Sequence, residues 1–108
     1  MERDFHSFST SIACARVGIL VGAPGGEWQI KVFGQGNVDV LLCGEINEWE
    51  TNEYVRDALR LGQVKALVVL GHAASEEPGM REMVPWLQAR LPEVPVSFVP
   101  VGEPFMWQ

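Results

Sequence analysis

Lys65-Ala66-Leu67-Val68-Val69-Leu70-Gly71-His72 fixes the architecture to be expected of this chain. A short, nearly continuous apolar run closed by glycine reads as a strand buried on both faces, the kind found in parallel sheets. The stretch after it has helical periodicity: Met80, Met83, Val84, Leu87 and Leu91 fall on one stripe, which is expected to be a buried face. Ser75 is the expected N-cap, and Glu76 and Glu77 suit the positive end of the helix dipole. Pro85 lies inside the pattern and is expected to kink or restart the helix. Upstream, Glu50 to Leu61 places Tyr54, Val55, Ala58 and Leu59 at helical spacing, and Gly62 stops the run.

The same alternation continues outward in both directions. Val38-Asp39-Val40-Leu41-Leu42-Cys43 reads as a strand closed by Gly44-Glu45, and Arg16-Val17-Gly18-Ile19-Leu20-Val21 as another closed by the glycine-rich turn Gly22 to Gly26. Between them Glu27 to Phe33 makes a short helix with Trp28, Val32 and Phe33 on one side, ended by Gly34-Gln35-Gly36-Asn37. Pro95 to Val101 is expected as a fourth strand near an edge, followed by the apolar tail Glu103 to Trp107. Residues 1–14 fit a helix through Phe5, Phe8 and Ile12 or a strand through Phe8, Thr10 and Ile12, and the strand is favoured. Repeated β-α units predict an α/β fold: a three-layer, mostly parallel sheet of four or five strands with helices on both faces.

Bulk properties narrow the rest. At 108 residues the chain holds one domain, residues 1–108, and its 47% hydrophobic and 20% charged content is that of a folded globule rather than a disordered one. A formal charge of −6 with scattered Lys and Arg argues against nucleic acid and anionic membranes as partners. No apolar run approaches the ~18 residues needed to cross a bilayer. Cys14 and Cys43 each lie in apolar sequence and read as core thiols, so the expected compartment is the cytoplasm. Trp28, Trp49 and Trp86 are expected in the core or in a subunit contact, and Trp107 as an anchor for a neighbour; His6 receives no role.

Ligands of a parallel sheet collect where its strands end and its helices begin. Three such ends carry chemistry here: the Gly22 to Gly26 turn, Gly44-Glu45, and Gly71-His72 with Glu76 beyond it. An imidazole and a carboxylate in one loop-to-helix turn can share a divalent cation, which accepts such N and O donors. His72 and Glu76 are therefore the candidate metal ligands, with Glu45, Glu48 or Glu50 as candidates to add to them and Glu45 preferred. The blander alternative makes His72 a hydrogen-bonding strand end and Glu76 a residue chosen for the helix dipole, and spacing alone favours it. Gly22, Gly25 and Gly26 are weak candidates to face a substrate, because the turn lacks the order of a dinucleotide fingerprint and the Lys-Ser/Thr of a P-loop. Positive φ in a tight connection explains those glycines as well.

Gly71-His72-Ala73-Ala74-Ser75-Glu76-Glu77-Pro78-Gly79-Met80 resembles the C-terminal metal motif of the Nif-three-like family, the GTP cyclohydrolase I type 2 homologues: Gly-His, three residues, then Glu. Asp39-Val40-Leu41-Leu42-Cys43-Gly44-Glu45-Ile46 is similar to the family's strand end Ala-Asp-Val-Tyr-Ile-Thr-Gly-Glu. Pro95 to Phe105 resembles the ending of one branch, so the likeness runs over about residues 15–108. It implies half of a Nif-three-like fold, with His72 and Glu76 as ligands of a divalent metal ion and a hydrolase-like activity on a phosphorylated or nucleotide-like small molecule. Family members are about twice as long and take a His-His pair and an Asp from an N-terminal half that this chain lacks. One copy is therefore not expected to build a complete dinuclear centre, and the implied partners are further copies in a homo-oligomer or a separate N-terminal-half subunit. The alternative is a non-catalytic, oligomeric assembly or binding module that keeps the fold without a complete metal site.

Overall fold

The computed structural model describes residues 13–35 and 37–102. Its elements run β1 (Val17–Leu20), α1 (Gly26–Gln35), β2 (Val40–Cys43), a π-helical turn (Glu48–Asn52), α2 (Glu53–Arg60), β3 (Ala66–Val69) and α3 (His72–Arg90). The three strands form one sheet in the order β1-β2-β3, and both pairings are parallel, as the β-α alternation predicts. In register, Leu20 stands beside Cys43 and Cys43 beside Val69, so all three strands end level with one another. The expectations for residues 1–12, for Gly36 and for the tail 103–108 lie outside the described residues.

Side chains alternate across a strand, and this divides the sheet into two unlike faces. Leu41 and Cys43 point to one face and are fully buried, packing with Phe33, Val38 and Val55 and flanked by Leu20, Val32, Ile46, Tyr54 and Leu67. This is the core, supplied by α1 and α2. Gly18 belongs to the same face because a side chain there would press on Val32 and Val38 at 3.0 and 3.2 Å. On the opposite face Val17, Ile19 and Val68 are 53%, 67% and 41% exposed. Among the described residues the sheet is thus covered on one side only.

Several expectations need correction. The helix after β3 starts at His72, four residues earlier than an N-cap at Ser75 would place it, because Gly71 turns the chain at φ 93° and its carbonyl accepts from the Ser75 amide at 3.0 Å. Nor does α3 restart at Pro85. It runs through both Pro78 and Pro85, each of which removes one donor, and the two rings, two turns apart, are both exposed. The stripe on α3 is not a buried face: Met80, Met83 and Leu91 are 50%, 43% and 46% exposed, and Ser75 is the only buried residue of the helix.

Residues 95–101 form no ladder. Pro95 and Pro100 have no amide to offer, and the Val96 amide donates to the Gln88 side chain at 3.0 Å instead of to a strand. Gln88 also donates to the carbonyls of Leu91 and Val94, so this segment is bound back along α3. Cys14 is exposed, lying ahead of β1 rather than in it, whereas Cys43 is buried as expected. Trp28, Trp49 and Trp86 are all exposed; Lys31 and Arg90 place their cations over the rings of Trp28 and Trp86. Glu50 to Asn52 belong to a π turn, not to the α-helix anticipated from Glu50 onward, and Leu59 is exposed while Val55 and Ala58 are buried.

Candidate functional site

The three level strand ends are stitched one step beyond the ladder. The Gly44 amide donates to Leu20, the Glu45 amide to Gly22, the Leu70 amide to Cys43 and the Gly71 amide to Gly44, at 2.9 to 3.2 Å. The turns carrying Gly22, Glu45 and His72 therefore lie side by side along the carboxyl edge of the sheet. Gly44 is required there: a Cβ would stand 2.5 Å from the Gly22 amide nitrogen and 2.7 Å from Ser75 Oγ. The Gly22 amide donates to Ser75 Oγ at 2.9 Å, and that hydroxyl donates to the His72 carbonyl at 2.7 Å. Ser75 thus clamps the first turn of α3 onto the loop after β1.

Glu45 is held from the other side. Gln29, wholly buried on α1, donates from Nε2 to the Glu45 carbonyl at 2.9 Å, and buried Thr51 of the π turn donates to Gln29 Oε1. Each buried side-chain polar atom of Thr51 and Gln29 has a partner, so the polar pair lies in the core without the cost of an orphaned donor or acceptor. Gln29, Thr51 and Ser75 are positioning residues that motif reasoning does not find. A pattern signal for Gln29 exists all the same: it is the polar member of the helical stripe Gln29, Val32, Phe33.

These supports bring His72 between two carboxylates. Its Nδ1 lies 2.8 Å from Glu45 Oε1, and its Nε2 lies 3.2 Å from Glu76 Oε2. The hydrogen bond to Glu45 is the chief cause of a His72 pKa raised above the ordinary histidine value, reinforced by the charges of Glu76 and Glu45 and opposed by some desolvation. With both nitrogens facing acceptors, the imidazolium form donates twice. All three side chains remain about half exposed, so solvent and solutes reach them.

Of the sequence candidates, the structure brings together His72, Glu76 and Glu45. Gly22 joins them, since a Cβ there would meet His72 Nε2 at 3.3 Å and the Glu76 carboxylate closer still. Gly22 and Gly25 have the anticipated positive φ, 71° and 90°. The Gly22 amide is already used by Ser75, however, and the Glu50 carboxylate lies against Gly26 at the start of α1. Among the described residues Glu50 does not pair with His72, while Glu48 lines the same hollow as Glu45 and His72. This hollow, about 930 Å3, adjoins an apolar cleft of about 470 Å3 along α3, and His72, Ala73 and Glu77 line both.

His72 Nε2 and the Glu76 carboxylate, 3.2 Å apart, are an N and O donor pair of the kind a divalent ion accepts, with Glu45 behind the imidazole as carboxylates stand behind metal-binding histidines. Two such donors are fewer than a coordination shell needs. Among the described residues no group of three or more His, Cys, Asp or Glu side chains is arranged to hold an ion. Among the same residues, no helix is long and apolar enough to cross a membrane. No protein-family model, no curated protein and no solved structure matches this chain.

Proposed function

We propose that this chain is a divalent-metal-binding α/β module of the Nif-three-like kind, hydrolase-like toward a phosphorylated or nucleotide-like small molecule, whose coordination is completed by groups from outside the single chain. The observation that carries this reading is the line Glu45, His72, Glu76 at the carboxyl edge of a parallel sheet. Glu45 selects the tautomer: by accepting from Nδ1–H it leaves Nε2, on the Glu76 side, as the nitrogen that gives up its proton and becomes a ligand. A bound divalent ion would supply Lewis acidity there, polarising a phosphoryl oxygen or a water. The protein's own part is to keep Nε2 and the Glu76 carboxylate aimed at one place through Ser75, Gly22 and the Gln29 tether.

A second reading, a non-catalytic homo-oligomeric assembly module or the companion of a separate N-terminal-half subunit, draws on a different observation. Parallel sheets are ordinarily covered on both faces, whereas Val17, Ile19 and Val68 stand open here. In either reading the complete architecture has helices on both faces and four or five strands, and the open face is where a further layer would lie.

Calorimetric titration of chelator-treated protein with Zn2+ and Mn2+, in parallel with sedimentation, separates the two readings. Binding that disappears in His72→Ala and Glu76→Gln but leaves the assembly unchanged supports the metal module. No metal uptake by a protein that nevertheless assembles supports the second reading, and metal uptake indifferent to His72→Ala removes the first.

A further inference from the structure

The cleft that adjoins the polar edge along α3 differs from it in character. Its long walls are Met80, Met83 and Leu87 of α3 facing Val96, Phe98 and Val99 of the returning segment, and its volume of about 470 Å3 lies in the range of small-molecule sites, about 300 to 1,000 Å3. The walls are almost wholly apolar, and the polar groups gather at one end, where His72, Glu76 and Glu77 stand. Glu77 is half-buried at that end and makes no ion pair among the described residues. One turn along the helix Arg81 would be its natural i,i+4 partner. Arg81 instead holds its guanidinium carbon 4.7 Å from the centroid of Phe98, on the opposite wall. This cation–π contact ties Arg81 to the returning segment, and among the described residues Glu77 has no ion-pair partner at the mouth of an apolar slot.

We propose that this cleft binds a small amphiphile with an apolar body and a cationic head, an alkyl or aryl amine, the body lying between Met83, Leu87 and Phe98 and the ammonium group pairing with Glu77. The apolar cavity carries the proposal, and the Glu77 carboxylate, without an ion pair among the described residues, assigns the sign of the head. An anionic head is disfavoured, because Glu76 and Glu77 stand together at that end. Burying the aliphatic body supplies affinity in proportion to the apolar area removed from water, and the ammonium–carboxylate contact supplies selectivity. No metal is needed for this binding, although the polar end of the cleft also holds His72 and Glu76 of the proposed metal pair.

Titration calorimetry with octylamine, octanol and octanoate at neutral pH, below their aggregation concentrations and in the presence of chelator, tests it. The expected order is octylamine first, about tenfold tighter than octanol, the size of one charge-assisted hydrogen bond, with octanoate weakest. Glu77→Gln, a surface change whose folding circular dichroism verifies, is expected to lower octylamine to the affinity of octanol and leave octanol unchanged. Leu87→Asp is expected to abolish all binding. Octanoate binding as well as octylamine, octylamine indifferent to Glu77→Gln, or no binding of any of the three overturns the proposal. So does a dimer that Met83→Glu dissociates, because the cleft would then be filled by a second copy.

Discussion

The two apolar surfaces of this chain, the sheet face under α1 and α2 and the stripe on α3, are equally legible as hydrophobic patterns and end in opposite situations. Phe33, Leu41 and Cys43 are sealed, whereas Met80, Met83 and Leu91 are about half exposed. The difference lies in the number of elements that close over each. Parallel crossovers place α1 and α2 against β2 from the same side, while among the described residues α3 has only the segment 94–101 laid back along it. An apolar stripe thus marks a surface that wants burial, and the elements packed around it decide whether the burial comes from this chain, a ligand or another chain.

The sharpest way to break that comparison is truncation on each side. Leu41→Ala is expected to cost about 2–5 kcal/mol in denaturant unfolding, as buried leucines do when they leave a cavity. Met80→Ala should cost well under that, ~1 kcal/mol or less, since half of its surface is already in water. Equal losses at the two positions would mean that α3 is buried in the protein in solution.

Intermediate in size is the polar tether inside the packed half. Thr51→Val keeps the shape but leaves buried Gln29 Oε1 without its donor, which is expected to cost about 1–3 kcal/mol. The same variant should loosen the Glu45 backbone, seen as faster amide exchange at Glu45 and Ile46. A neutral result would show that the pair is not what holds the loop.

Smaller effects come from titration at the exposed ends. His72 is charged more readily folded than unfolded, so its contribution to stability is fully present below the unfolded value of about 6.5 and is lost as pH rises through the higher folded value. An NMR titration should place the His72 midpoint above that of a free histidine, and Glu45→Gln should bring it down. Asp39 behaves oppositely. Backbone amides of Ala15 and Arg16, at 2.9 and 3.1 Å, hold its carboxylate below the ordinary range. Its contribution is present above the unfolded aspartate value and disappears as pH falls through the depressed one, which an acid titration of wild type against Asp39→Asn would read.

Sequence alone determined the parallel β-α order and the strand ends at Gly22, Gly44 and Gly71, and it offered the meeting of Glu45, His72 and Glu76 on the condition that those strands share one parallel sheet, because periodicity and glycine punctuation are local and strand ends in such a sheet coincide by topology. The helix start at His72, the passage of α3 through two prolines, the unpaired 95–101 segment and the burial of Gln29 with Thr51 were decided only by the tertiary structure. Each of these depends on which group happens to face which across the fold: an amide that finds Gln88 before it finds a strand, a glutamine that meets a threonine and a carbonyl at once. Such choices are made by partners distant in sequence, and no window of neighbouring residues contains them.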